Sequence, residues 1–445
     1  MAHDSRCAPA VPGQVRIPED GTLPYGYVLA ELEAAGLRTD ALYLWRLLRR
    51  LDGWRDEQSA GREVRDDAPR TRYDDAASAI QPTLNAVDRL LREADPGEDT
   101  LEGLSLGLMH LAIWAEEHGA LGTAVALLQG AESLNPENPH FAYNVGRVAR
   151  KLAAYPDAEA WLKWAYFVAR EGERWDVATL ALSGLGNLHR QRGNLPRARK
   201  YHTVAWRMAK RHGLRTLEGD ALYDLCVISL SSGDGSSAVD YARQALTAYG
   251  PGHGQVYRLA NDFAWFWMDS YGKFESAAHV FISLLDYIWE PPFRVLLLAN
   301  TTRAAAGAGW MDVFEGMWVE TWALIRQQLS RQGHAAALTQ LALGAGNLGH
   351  WERALLAAGE ALKVARQRKE AEAVLTSEEI LNVLNDGVLR DERILEIFKD
   401  RRYSPEMKAD EESTDLTVQF ANAMRARRDD APESPTRALL RSSVS

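Results

Sequence analysis

The sequence predicts an all-α fold, an α-solenoid of stacked antiparallel helix pairs closed by helical caps. Three features of the 445-residue chain predict it: an apolar helix-turn-helix unit, a glycine that recurs at its turn, and alanines that recur at two offsets in its second helix. Alanine and glycine let antiparallel helices approach closely, while large apolar side chains fill the neighbouring gap. A plain helical bundle with accidental periodicity is the alternative, but recurring small residues are more specific than apolar periodicity alone.

One unit gives the register of the repeat. An apolar helix from Leu111 ends near Gly119, and a second helix runs to Leu134, where Asn135 and Pro136 stop it. The first alanine of each second helix marks the successive copies, at steps of 34, 40, 40, 39 and 77 residues. These markers are Ala124, Ala158, Ala198, Ala238, Ala277 and Ala354.

The unit resembles the tetratricopeptide repeat, and the resemblance covers about residues 105–375. The matching positions of the first copy are Leu111, Ala112, Gly119, Ala124, Leu128, Ala131 and Pro136. Steps near 40 residues exceed the consensus length and indicate a variant with longer helices. The 77-residue step hides one weaker copy, with its turn at Gly309 and the bulky Phe314 at the marker position. The resemblance implies a right-handed superhelix whose first helices line a concave binding surface.

The pattern divides the chain into six segments. In order, they are a disordered N-terminus (1–22), an N-terminal helical pair (23–52), a charged linker (53–76), the repeat array (77–375), C-terminal capping helices (376–428) and a disordered tail (429–445). The sequence Thr376-Ser377-Glu378-Glu379 is a capping-box pattern, which we expect to open the first C-terminal cap. The N-terminal pair is interpreted as a structural cap, with helix-turn-helix DNA binding as the alternative.

Composition excludes several classes of protein. The net charge of -10 and the pI near 5.7 argue against general adhesion to nucleic acid or anionic membranes. The two cysteines, Cys7 and Cys226, provide no disulfide framework. No apolar run approaches the roughly 20 residues of a membrane span, and the N-terminus lacks the apolar core of a secretory signal. We therefore expect a cytoplasmic protein.

Motifs for catalysis or cofactor binding are absent from the sequence. It contains no glycine-rich phosphate loop, no His-Glu-x-x-His and no nucleophile elbow. His189 and His202 have offsets that could bring them together between two paired helices, but no third ligand for a metal follows from the sequence. We therefore expect no enzyme activity, no cofactor and no metal.

The family resemblance also implies which side chains of the first helices face the groove. The candidate peptide- or protein-binding residues are Tyr143, Arg147, Arg150, Asn187, Arg190, Asp220, Tyr223, Asp262, Phe266 and Asp269. The early members are basic and the later ones acidic, which suits a peptide of mixed charge. An arginine fork can hold a carboxylate in bidentate geometry, and an asparagine can satisfy a peptide amide.

Two further clusters lie in the array. Nine basic residues and no acidic one occur between Asp176 and Glu218, which defines a basic island at 190–215. This island is either a solvated face or a surface for an acidic protein or nucleic acid. Aromatic residues cluster at 257–322, where they favour a core, with a ligand pocket or partner surface as the alternative. Phe266 is the ring most expected to leave that core.

The leading hypothesis is a non-enzymatic scaffold or adaptor that binds a protein or peptide. We expect it not to bind a membrane. One alternative is a regulatory sensor, similar to bacterial signalling-peptide receptors of the tetratricopeptide type, whose N-terminal helices contact an effector or DNA. A second alternative is nucleic-acid binding through the basic island, which predicts an affinity that falls steeply with salt.

Overall fold

The structure is a computed structural model that describes residues 10–15, 17, 23–60, 72–93, 96–250, 253–288, 291–327, 333–368, 371–385 and 419–420. Within these ranges the chain forms eighteen α-helices and no strand, which confirms the all-α prediction. Of the helices in this described part, none has the length and apolar content needed to cross a bilayer. The chain divides into two compact units, Met1–Ala221 (unit 1) and Leu222–Ser445 (unit 2).

Unit 1 is built of helix pairs with short turns. Its helices are α1 (Gly26–Ala34), α2 (Arg38–Ser59), α3 (Gln81–Leu90), α4 (Glu98–Glu117), α5 (Leu121–Leu134), α6 (Pro139–Lys151), α7 (Tyr155–Glu171), α8 (Trp175–Gln191) and α9 (Leu195–Arg211), and α10 (Arg215–Ser231) spans the division between the units. Helices α4 and α5, α6 and α7, and α8 and α9 pack as the predicted pairs. A hydrophobic core extends through them from Val15 to Leu188.

The N-terminal pair packs onto the first repeat. The Glu31 carboxylate accepts hydrogen bonds from the backbone N–H groups of Gly122 and Thr123 at 2.9 and 2.8 Å, and from the Thr123 hydroxyl at 2.9 Å. Free N–H groups at a helix start favour a carboxylate, so Glu31 caps α5 from a distant part of the chain. Helix α2 buries an apolar stripe that ends at Trp54, and it continues to Ser59, beyond the end predicted for the pair at residue 52.

The turn between α6 and α7 departs from the glycine rule. Gly119 and Gly193 take left-handed conformations in the equivalent turns, with φ of 79° and 73°, whereas Ala153 has φ of 59°. A side chain makes this conformation cost roughly 1–2 kcal/mol. We expect Ala153→Gly to raise the free energy of unfolding by about 1 kcal/mol in urea denaturation, and Gly193→Ala to lower it by about as much. Equal stability of the Ala153→Gly variant and the wild type would contradict a strained turn.

Unit 2 continues the paired arrangement. Its helices are α11 (Gly235–Tyr249), α12 (Gln255–Tyr271), α13 (Phe274–Leu285), α14 (Pro291–Ala308), α15 (Met311–Gln327), α16 (His334–Asn347), α17 (Trp351–Arg368) and α18 (Ala371–Asn385). Helices α12 and α13, α14 and α15, and α16 and α17 pack as pairs. The irregular repeat is the pair α14 and α15, with its turn at Gly309 as predicted, and Phe314 is fully buried within it.

The predicted capping box is wrong. Helix α18 begins at Ala371, so the pattern at 376–379 lies inside the helix. Ser377 is fully buried with its hydroxyl 3.5 Å from that of Thr339 on α16, and Glu378 pairs with Arg366 at 2.6 Å. These polar side chains therefore serve packing between helices instead of helix initiation. Most of the predicted C-terminal capping segment, 386–428, lies outside the described residues except for 419–420, as do the tail, most of 1–22 and linker residues 61–71.

Candidate functional site

The first helices of successive pairs lie side by side within each unit, α6 against α8 in unit 1 and α14 against both α12 and α16 in unit 2. Their polar side chains form two surfaces. We call the first the unit 1 face: Glu116, Tyr143, Asn144, Arg147, Arg150, Lys151, Asn187 and Arg190. We call the second the unit 2 face: Tyr223, Asn261, Asp262, Phe266, Asp269, Asn300, Arg303 and Gln340. Asp220, the remaining predicted residue, is half-buried on α10.

Arg147 is held within the unit 1 face by its own neighbours. Its guanidinium donates to both oxygens of the Glu116 carboxylate at 2.7 and 2.6 Å, and its Nε donates to Asn144 at 3.1 Å. Lys151 pairs with the same carboxylate. Burial by itself would raise the pKa of Glu116, but the hydrogen bonds from Arg147 and Lys151 outweigh it and hold that pKa below its usual value. Arg147 thus serves first as a link between α4 and α6.

Arg190 is less completely satisfied than Arg147. Its Nη2 donates to Asn187 at a long 3.5 Å, and its Nε is shielded from solvent without a hydrogen-bond partner among the described residues. Helix α6 carries no acidic residue, and α8 carries only Asp176, which pairs with Arg174 at 3.0 Å. The unit 1 face therefore has one carboxylate, the half-buried Glu116, for several cations. Tyr143 and Arg150 lie on α6 beside this cluster, both half-buried.

His202 lies behind Arg190 where α8 and α9 meet closely. A Cβ at Gly186 would lie within 3.0 Å of three ring atoms of the fully buried His202. Burial, with a smaller effect of the Arg190 charge, lowers the pKa of His202 to about 3. His189 packs separately, stacked on Tyr201 at 5.3 Å, and within the described residues no three metal-binding side chains form a cluster.

This buried imidazole gives a testable pH dependence. Below about pH 6.5 the unfolded chain binds a proton at His202 that the folded chain does not bind until about pH 3. Stability is therefore lost as the pH falls through this window, by about 2 kcal/mol between pH 7 and pH 5. Urea titrations at both pH values should show that His202→Gln removes this part of the loss, whereas His110→Gln, at an exposed position, leaves it. An unchanged pH slope in His202→Gln would contradict the assignment.

The unit 2 face is a chain of hydrogen bonds between successive first helices. The Tyr223 hydroxyl donates to Asp262, Asn261 donates to Asp262 at 3.1 Å, and Asn300 donates to Asn261 at 3.4 Å. Burial raises the pKa of Tyr223, and the nearby Asp262 charge raises it further, so Tyr223 remains a donor. Asn300 is 2% exposed, and its Oδ1 lacks a hydrogen-bond partner within the described ranges.

Arg303 is the central residue that sequence reasoning missed. Its guanidinium donates to Asp269 at 2.7 Å and to Gln340 at 2.8 Å, and its side chain is 4% exposed. Because Arg303 offsets the charge of Asp269, the unit 2 face is less acidic than the sequence predicted. Phe266 is buried, with its ring edge-on to Tyr271 at 5.3 Å, so the prediction that it leaves the core is wrong.

The basic island lies mostly on an exposed helix surface, whereas the aromatic cluster lies partly in the core. Most of the island lies on α9, the second helix of its pair, where Arg197, Lys200, Arg207, Lys210 and Arg211 are exposed. The tryptophans of 257–322 divide between core and surface. Trp267 and Trp318 are buried, Trp310 and Trp322 are half-buried, and Trp265 is exposed, while Trp289 lies outside the described residues.

Comparison with known proteins finds solved structures of low similarity to this chain. No protein-family model matches the chain, and no curated protein matches it. It is similar to the crystal structure of BtubC (BKLC) from P. vanneervenii, at 15% identity and a TM-score of 0.35, covering 57% of this chain and 92% of that one. It is also similar to a Rap protein complexed with competence and sporulation factor, at 12% identity and a TM-score of 0.39, covering 85% and 100% respectively.

Both TM-scores lie below 0.5, so neither likeness bears on what this chain binds. The class of protein is defined by the chain's own helices. Consecutive antiparallel pairs, with polar links between neighbouring first helices in each unit, make it an all-α helical-repeat protein.

Proposed function

We propose that this helical-repeat protein is a non-catalytic scaffold or adaptor whose unit 1 face binds an acidic peptide or protein segment. The observation that carries the proposal is the unmet hydrogen-bonding capacity of Arg190 on a face with an excess of cations. A guanidinium binds a carboxylate through two parallel N–H groups, and a charge-assisted pair of this kind is stronger than a neutral hydrogen bond. Asn187, its neighbour on α8, can donate and accept toward a peptide amide.

The internal pairing of Arg147 supports a preformed surface. Since Glu116 fixes the Arg147 guanidinium in place, the face need not order that side chain on binding. Less side-chain entropy is then lost when a ligand docks. Within this proposal Arg147 positions the surface, and Arg190 anchors the ligand carboxylate.

The test selects peptides from a display library on the purified full chain and measures their affinity by isothermal titration calorimetry. We expect the selected peptides to be rich in Asp or Glu, and Arg190→Met to weaken their binding by about tenfold or more, equivalent to about 1.4 kcal/mol. Arg197→Met is the matched control, because Arg197 is exposed on the second helix α9 and lies outside the face. It should leave the affinity unchanged.

Two results would contradict this proposal. The first is a selection that yields no peptide, and the second is equal binding by wild type and the Arg190→Met variant. If instead the Arg197→Met control abolishes binding while Arg190→Met does not, the ligand occupies the part of the basic island that lies on α9. A steep loss of affinity with salt would then accompany it.

A further inference from the structure

A cleft of about 1070 Å³ lies in unit 1 between the N-terminal segment, α2, α5 and α7. None of the residues that line it belongs to the unit 1 face. Its volume is slightly larger than the range of about 300–1,000 Å³ that is typical of sites for small organic ligands. The Glu31 cap of α5 fixes α1 beside the cleft, so its walls are held by the fold.

Glu132 lines this cleft from the last turn of α5. It is 6% exposed, and its Oε1 has no hydrogen-bond partner among the residues that the structure describes. Burial raises the pKa of Glu132, although Trp164 and the Arg55 charge oppose the shift. A carboxylate in the last turn of a helix also meets the negative end of the helix dipole. Burial and the helix dipole therefore both disfavour a charged Glu132, and a bound cation would offset them.

Most of the other charges of the cleft have the same sign as Glu132. Asp52 and Asp56 on α2 also line it, and Arg55 is the one basic side chain among its described lining residues. Three carboxylates thus share one guanidinium, and an additional positive charge would be attracted to them.

The apolar part of the lining comes from rings and aliphatic side chains. Trp161 is 3% exposed, and its Nε1 lacks a hydrogen-bond partner in the described part of the chain. Tyr27 and Leu51 contribute further apolar surface. Aromatic faces attract cations, and the indole N–H is suited to an oxygen atom of a ligand.

We infer that this cleft binds a small organic amine, with Glu132 as the counter-ion of its ammonium group and Trp161 contacting its apolar body. Asp52 and Asp56 add to the attraction of the cation. The site is independent of the unit 1 face, so the Arg190→Met variant is expected to bind amines as the wild type does.

The test uses phenethylamine and its neutral counterpart 2-phenylethanol, titrated into the full chain by calorimetry and by tryptophan fluorescence. We expect the amine to bind about tenfold or more tightly than the alcohol, and Glu132→Gln to remove this preference. Glu117→Gln is the matched control, since Glu117 is an exposed glutamate at the end of α4. It should bind phenethylamine as the wild type does.

A second ligand separates two sources of the ammonium group. Nα-acetyl-lysine amide presents a lysine side chain, and tighter binding of this compound than of phenethylamine would assign the cleft to a lysine of a partner. Either compound binding in a Glu132-dependent way supports the inference. If Glu132→Gln fails to fold, Asp52→Asn and Trp161→Phe are expected to weaken amine binding in its place. Failure of both amines to bind the wild type, or equal binding by Glu132→Gln, would overturn it.

Discussion

Replacing Arg303 with methionine is expected to lower the free energy of unfolding by about 3–5 kcal/mol. Methionine fills much of the same volume but removes the donors to Asp269 and Gln340. Asp269, whose side chain is 26% exposed, then keeps a charge without its partner. Leaving one charge of a buried pair unmatched costs more than the pair itself contributes to stability.

Urea unfolding followed by circular dichroism measures this loss. Arg326→Met is the control, since Arg326 is an exposed arginine of α15 whose charge lies 5.8 Å from the Trp322 ring. It should change stability by less than about 1 kcal/mol. Adding Asp269→Asn to Arg303→Met should recover part of the loss, because the unmatched charge is removed as well. A loss in Arg303→Met no larger than in Arg326→Met would contradict the stabilising role of the pair.

Gly307→Ala is expected to destabilise unit 2 by about 1–2 kcal/mol, because overpacking outweighs the gain in helix propensity. A Cβ at Gly307 would lie within 3.0 Å of three ring atoms of Phe274, at the start of α13. A ring moves as a rigid body, so relief requires the whole side chain or the helix to shift. Phe274→Leu in the same chain should reduce the penalty, because a smaller and more flexible side chain can yield.

Gly316→Ala provides the matched comparison on the neighbouring helix α15. No atom lies within 4 Å of a Cβ built at Gly316, and alanine is the better helix former, so this variant should be more stable than the wild type by up to about 1 kcal/mol. Thermal or urea unfolding of both variants would show opposite signs. Destabilisation of both by similar amounts would contradict the specific clash with Phe274.

Much of the fold was predictable because close helix contacts restrict residue type. The markers Ala124, Ala158, Ala198, Ala238 and Ala277 are all fully buried in the structure. Even the irregular repeat had a correct turn at Gly309. The capping-box prediction was wrong because a local pattern indicates only that a helix can begin at Thr376. The packing of Ser377 against Thr339 is a contact between distant residues, which a local pattern does not contain.

The candidate site was predicted less well than the fold. Sequence offsets placed Arg147, Asp262 and Asp269 on first helices. They did not reveal that each side chain forms a hydrogen bond with the first helix of a neighbouring pair. Arg303 was missed because the register is weakest in its repeat. Arg303 follows Asp269 by 34 residues, which is close to the length of one repeat, and this separation was the available signal for their pairing. The Glu132 cleft gave no sequence signal, because its lining comes from four separate parts of unit 1.

The Glu31 cap affects the order in which the parts of unit 1 fold during synthesis. Most contacts of a helical repeat join neighbours, so each pair can form soon after it leaves the ribosome. The Glu31 carboxylate, however, accepts its hydrogen bonds from the N–H groups of Gly122 and Thr123, more than 90 residues later in the chain. Helix α1 must therefore wait for α5 to emerge before it reaches its final position. During synthesis, the N-terminal pair of unit 1 therefore completes its packing only after α5 has emerged, later than its place in the chain suggests.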